Sequence, residues 1–393
     1  MIHSKCVPTA AVASLMLAVQ AVTAQTAPTP APPGAAAQVQ PPPPVSAAPD
    51  PVESPAAWKL GPLDLSGVVD GYYSIGFNHP ADQENGLRNF DDKANQFELN
   101  MAMLTVDLSP KPLGFHLEAG AGRAFDIMSA TEKDATAMRF FEQAYVDLKP
   151  ESWQGLELDF GRFTTFAGAE VIQTSNNFNY SRSLLFAWAE PYYHFGFRAT
   201  RPIGKRFNLG FELVSGWNNV VTGATFKTVG LTGSWIPTSK VTWTNTYYGG
   251  PDENEANRGM RQLYDTVLQL APNRRASFYL NFDYLHDSPR YTRSGQVYGI
   301  AGAAKFQLTR KLVVSQRLEW LNDNLGMATG TSQQVKEFTV TGTYALLARV
   351  SGWLEFRNDW SNQPFFDCGD KAASQKQQPT LLVGIVAVIA PQR

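Results

Sequence analysis

The 393-residue chain has only two cysteines, Cys6 and Cys368, and five histidines. So few cysteines exclude a disulfide framework and a thiolate metal cluster. The histidines His3, His79, His116, His194 and His286 form no spaced pair such as H-x-x-x-H, so no metal ligand set is expected. Charge is also scarce. Asp, Glu, Lys and Arg make up 17% of residues, where soluble proteins average about 25%. Neither sign dominates: the formal net charge is −2, which speaks against nucleic acid as a partner, since that role calls for a basic excess. Long hydrophobic runs are missing as well. Past the N-terminus no stretch offers the ~18 apolar residues of a membrane helix, and the mean hydropathy is −0.23. No Gly-rich phosphate loop occurs, and no cofactor is expected. What the chain has in quantity is aromatic residues and glycine: 24 Phe, 14 Tyr, 9 Trp and 31 Gly.

The first 24 residues have the layout of a secretory signal. His3 and Lys5 give a short basic start, an apolar stretch runs from Val7 to Val22, and Val22-Thr23-Ala24 supplies small residues before Gln25. Cleavage there would leave Cys368 as the sole cysteine of the mature chain. Residues 25–57 form a Pro/Ala tract, with eleven prolines between Thr26 and Ala57. Proline fixes φ and removes donors, so this tract is expected to be a semi-extended linker without a core. The expected organisation is thus signal 1–24, linker 25–57 and one domain over 58–393.

From Asp64 onward the repeating unit is a segment of about ten residues with period-two alternation. Leu156, Leu158 and Phe160 alternate with Glu157 and Asp159; Phe278, Leu280, Phe282 and Tyr284 alternate with Tyr279, Asn281 and Asp283. Strands are expected near 64–78, 93–108, 112–125, 138–149, 154–163, 191–202, 206–218, 225–236, 240–249, 260–271, 275–286, 294–309, 311–321, 333–346, 349–360 and 378–390. Glu142 and Arg162 fall on the apolar register and suggest bulges or loop ends. Seven short connections alternate with eight long ones, giving sixteen strands. Short turns on one side and long loops on the other, with an even strand number, describe an all-β, transmembrane antiparallel barrel with periplasmic turns and extracellular loops. In lipid every backbone donor must be paired, so strands can span only as a closed barrel. Trp153, Trp235, Trp243, Trp320, Trp353 and Trp360 lie near strand ends or turns, as residues of an interfacial girdle would.

A sixteen-stranded barrel encloses a water-filled channel. By register the expected lining includes Glu98, Glu118, Asp147, Glu157, Asp159, Arg198, Glu212, Arg317, Glu355 and Arg357. Acidic residues outnumber basic ones there, while basic residues such as Lys111, Arg206 and Arg275 gather at the short turns. Charged rings set ion selectivity, so a mild cation preference is expected. The connection from Thr164 to Glu190 is the longest and is rich in aromatic and apolar residues. Left outside, it would be an apolar liability. Folded into the barrel, it would present Glu170, Asn177, Asn179, Tyr180 and Arg182 to the pore as a constriction. The other possibility is an external loop packed on its neighbours or on another protomer.

Catalytic residues are not expected. His286-Asp287 and Asp91-Asp92 are Asp/His-type pairs of the kind used by outer-membrane proteases, but such dipeptides arise often by chance. His116 and His194 have no adjacent serine that suggests a phospholipase. The function expected is a passive channel for small hydrophilic solutes or ions. The alternatives are a barrel that only displays or adheres through its loops and, less favoured, an outer-membrane hydrolase.

Several stretches carry a resemblance. They are Val69-Asp70-Gly71-Tyr72-Tyr73, Gln96-Phe97-Glu98-Leu99-Asn100, Gln143-Ala144-Tyr145-Val146 and Gly161-Arg162-Phe163. With them go Gly168-Ala169-Glu170-Val171-Ile172, Asn179-Tyr180-Ser181-Arg182-Ser183 and Pro191-Tyr192-Tyr193-His194-Phe195-Gly196. The chain resembles the β-barrel porin-2 family of Gram-negative outer membranes, the outer-membrane L-like porins, most densely over about 65–220. The resemblance implies a passive solute channel in the cell outer membrane, reached by export through the periplasm. Partners expected are outer-membrane lipid, the barrel assembly machinery and, by analogy with other sixteen-stranded porins, two further copies in a homotrimer. The chain ends Val388-Ile389-Ala390-Pro391-Gln392-Arg393, without the terminal aromatic that many such barrels offer to that machinery.

Overall fold

The computed structural model describes residues 58–132, 137–251, 259–288 and 294–390. The signal and linker expected over 1–24 and 25–57 lie outside the described residues.

Sixteen antiparallel strands make up the wall: β1 (Leu63–Gly76), β2 (Gln96–Leu108), β3 (Leu113–Ala121), β4 (Phe141–Leu148), β5 (Glu157–Thr164), β6 (Tyr193–Ile203), β7 (Phe207–Val214) and β8 (Thr228–Thr238). The second half is β9 (Val241–Gly250), β10 (Met260–Asn273), β11 (Ala276–Ser288), β12 (Gly295–Gln307), β13 (Leu312–Asp323), β14 (Gln333–Leu347), β15 (Val350–Ser361) and β16 (Gln377–Ile389). Each strand pairs with its sequence neighbour, and β16 closes on β1 from Thr380↔Gly76 to Ile389↔Gly67. The short strand Trp58–Leu60 pairs with Leu63–Leu65, taking up the edge of β1 that β16 leaves free. Closure is what lets such a chain span lipid, because no edge keeps unpaired backbone donors.

The outer face is apolar by alternation. Leu280, Leu318, Leu354, Val383 and Ile385 are exposed, while their strand neighbours turn inward and are buried. Tyr247, Tyr264, Tyr284 and Tyr298 stand directly opposite one another on four successive strands near the long-loop end. Trp235 pairs with Trp243 near the short-turn end. These rows put amphipathic rings at the two levels where lipid meets water. Trp353 is not part of a girdle. It lies on the inward register, 5% exposed, with its ring 6.0 Å from that of Tyr180. Its position near a strand end could not distinguish the two faces.

Glu142 and Arg162 break alternation for different reasons. The β3–β4 register shifts between Glu118 and Ala119, where Glu142 is the extra residue of a bulge. Arg162 keeps the outward register yet is buried beneath the chain around Met138, to whose carbonyl it donates at 2.7 Å, and it stacks 3.5 Å over the Tyr193 ring. The last long loop contains a small hairpin, Phe366–Cys368 with Lys371–Gln375.

Candidate functional site

Residues 165–192 connect β5 to β6 and turn into the barrel, where they bond to inward-facing residues of the wall. The local fold follows from three short-range devices. Thr174–Asn176 forms a single helical turn. The Asn177 side chain bridges the loop to itself, accepting from the Val171 amide at 2.9 Å and donating to the Val171 and Gln173 carbonyls at 2.7 and 3.0 Å. Ser183 then caps the short helix α1 (Leu184–Trp188) by accepting from the Phe186 amide at 3.0 Å.

Long-range bonds fix the loop to the wall. The Tyr180 and Ser181 amides donate to the Glu355 carboxylate at 2.6 and 3.0 Å, and the Tyr180 hydroxyl donates to Asp70 at 2.6 Å. Asn179 donates to Thr341 at 2.7 Å. Glu170 accepts from Arg317 at 2.7 Å, from Tyr279 at 3.0 Å and from the Ser183 amide at 2.6 Å. Arg182 donates to the carbonyls of Val171, Tyr180 and Ile172 within the loop. Its own carbonyl accepts from Arg317 at 3.1 Å and Arg357 at 2.6 Å. Burial works to raise the Glu170 carboxyl, but the Arg317 charge, the Ser183 amide and Arg182 outweigh it and hold it below the ordinary carboxylate range.

Apolar packing completes the docking. Phe166, Ala169, Leu184 and Leu185 are buried against Leu263, Val267, Leu285, Val297, Leu321 and Val335 of the inner wall. Ile172, Tyr180 and Phe186 pack with Tyr72, Met101, Trp353 and Leu382 on the other side. The inner wall is therefore not polar throughout. Its apolar parts lie where the loop covers them. Gly384 of β16 is needed for this approach, since a Cβ there would meet the Tyr180 ring.

Glu170, Asn177, Asn179, Tyr180 and Arg182 thus come together in this loop. All five are buried, at 7% exposure or less, and they hold the loop to itself and to the wall rather than stand open to water. Within 165–192 the exposed residues are Ser175 and Asn176.

The sequence-derived wall residues sit on the inward register and form three further groups. Arg198 bonds to Asp159 at 2.7 Å, beside Glu212, which accepts from Tyr248 at 2.7 Å. Arg317 and Arg357 share Glu337 at 3.0 and 3.8 Å, and Arg357 also holds Asp359 at 2.8 Å. Glu118 lies 3.4 Å from His116 on β3. Glu98 and Asp147 also take the inward register, Glu98 opposite Tyr72 and Asp147 opposite Asp159. Glu157 pairs with Lys149 at 2.9 Å near the short-turn rim. Sequence reasoning missed Arg88, which reaches in from the first long loop to Asp359 at 2.9 Å and Asp91 at 2.6 Å. It has no alternating neighbours to mark its direction.

The Asp/His-type pairs are engaged elsewhere. Asp91 holds Arg88, Asp92 holds Arg123 and Asp287 holds Arg261. His194 is fully buried against the Tyr248 ring, with Nδ1 2.8 Å from the Gly216 carbonyl.

A closed barrel of sixteen strands, apolar outside and with a long loop bonded to its inner wall, defines an outer-membrane barrel of the porin class. The chain belongs to the family described as Putative beta-barrel porin-2, OmpL-like, whose sequence profile matches residues 62–389. No curated protein sequence matches it significantly. Among solved structures it is similar to the anion-selective porin from Comamonas acidovorans, at 12% identity and a TM-score of 0.60, over 83% of this chain and 99% of that one. It is similar also to the outer membrane channel DcaP of Acinetobacter baumannii, at 9% identity and a TM-score of 0.57, over 85% of this chain and 99% of that one. A third is the trimer form of OmpT of Vibrio cholerae, at 9% identity and a TM-score of 0.55, over 83% and 98%.

Proposed function

We propose that this protein is a passive diffusion channel of the outer membrane for small hydrophilic solutes or ions, narrowed by residues 165–192. The observation that carries this reading is the bonding of that loop to wall residues on β1, β11, β13, β14 and β15. Glu170, Asn177, Asn179, Tyr180 and Arg182 set the position of the constriction, and the charged wall residues around it form the lining. An excess of acidic over basic residues on the inward register supports a mild cation preference, with Arg198, Arg317 and Arg357 each paired to a carboxylate. Anion selectivity is a property of the Comamonas porin, and at 12% identity that likeness supports the fold alone.

Proteoliposome swelling tests the reading. Permeation of sugar-sized solutes is the expected outcome; a sealed barrel would favour a display or adhesive role instead. A homotrimer and a mature chain beginning at Gln25 belong to the same proposal. Native mass in mild detergent and N-terminal sequencing of the membrane form test them.

A further inference from the structure

Where residues 165–192 rejoin the wall, three carboxylates meet without a cation from the protein. Asp265 on β10 and Asp283 on β11 are direct cross-strand partners, both inward and both fully buried. Glu190, from the end of the loop, points its carboxylate at this pair from a third segment of chain and is 6% exposed. One oxygen from each of the three lies within 4.8 Å of the others. Both Glu190 oxygens, one of Asp265 and one of Asp283 accept no hydrogen bond from any group outside the trio. No Lys, Arg or His lies within ion-pair distance of any of the three among the described residues. Two like charges on directly opposed strand positions are destabilising, and so is a buried charged carboxylate without a partner.

The surroundings are built to hold the group in place. Asn281, two residues from Asp283 on the same strand, donates to Asp265 at 2.9 Å and to Asp283 at 3.2 Å. Its carbonyl oxygen accepts from the Ala169 amide at 2.9 Å, so the same side chain orients both aspartates and ties the loop to them. Gly168 adopts φ +95, and a Cβ there would overlap the Glu190 carboxylate. The backbone thus leaves room for Glu190 to reach the aspartates.

We propose that Glu190, Asp265 and Asp283 bind one divalent cation, calcium by the chemistry of the set, and that this ion clamps the loop to the wall. All-oxygen carboxylate donors select hard cations. The four oxygens without an outside donor suit calcium, which accepts mono- or bidentate carboxylates in flexible geometry and fills its shell with carbonyls or water. No spacing motif could announce such a site, because its ligands come from three segments brought together by the barrel.

The test uses the full chain refolded in detergent free of lipopolysaccharide, which itself binds divalent ions. Equilibrium dialysis with radioactive calcium is expected to give one saturable site per chain. Thermal unfolding is expected at a higher temperature in calcium than in EDTA. Glu190→Gln keeps the shape, removes one ligand charge and should abolish saturable binding. Asn281→Ala, which removes the orienting amide, should weaken it by roughly 10–100-fold. Heat-modifiable migration on gels establishes that each variant is folded, and the wild-type binding measurement stands even if one is not. Absence of saturable binding up to about 10 mM, well above the range of extracellular calcium modules, would overturn the proposal and leave the carboxylates sharing protons. Undiminished binding in folded Glu190→Gln would overturn it equally. Neither result depends on whether the barrel conducts.

Discussion

Arg317 Nη1 lies 2.7 Å from Glu170 Oε1, with both side chains withdrawn from solvent, and this pair joins the wall at β13 to the loop inside it. Arg317 also holds Glu337 and the Ser181 and Arg182 carbonyls, so one guanidinium serves two strands and the loop. Arginine suits the place because its planar fork satisfies several acceptors at once.

Breaking the pair from one side should cost more than removing it whole. Arg317→Met leaves Glu170 buried without a cation and Glu337 with only Arg357, 3.8 Å away, and is expected to destabilise the refolded barrel by about 3–5 kcal/mol in a urea titration. Adding Glu170→Gln should return part of that loss. A double mutant no better than the single one would mean that the two side chains are not energetically coupled.

Shortening the loop should widen the path. Deletion of residues 170–182 removes the Tyr180, Ser181 and Arg182 attachments to Asp70, Glu355 and Arg357. Single-channel conductance in planar bilayers is expected to rise. Equal conductance before and after deletion would refute the constriction.

Ion selectivity is a separate question from ion passage. Under a salt gradient, the reversal potential is expected to show mild cation preference, and Glu98→Gln, at an inward acid that is not buried, should reduce it. A reversal potential of the opposite sign would mean that the inward acids are neutralised in place and the basic groups dominate.

The lipid-facing register can be tested on one strand. Leu318 is 62% exposed at the middle of β13, and Leu308 is 58% exposed at the short turn before it. Leu318→Arg is expected to cost about 2–4 kcal/mol of barrel stability, and Leu308→Arg about 0–1, because the cost of a charge falls from the bilayer midplane to its surface. Similar costs at both positions would place the membrane level wrongly.

The sequence by itself determined the barrel. All sixteen strands lie where period-two alternation puts them, within a few residues, because a wall between lipid and water needs one apolar face on every strand. Alternation also gave the direction of Arg198, Glu212, Arg317, Glu355 and Arg357. Only the tertiary structure decided what those side chains meet. Inside a closed barrel, residues distant in the chain become neighbours: Asp70 with Tyr180, Glu170 with Arg317, Glu190 with Asp265 and Asp283. Alternation is a local property of one strand, and it gives the face without the partner. For the same reason Trp353 was assigned to the membrane surface and Arg88 was passed over. The contacts of both are made by loops whose path across the lumen depends on closure of the whole sheet.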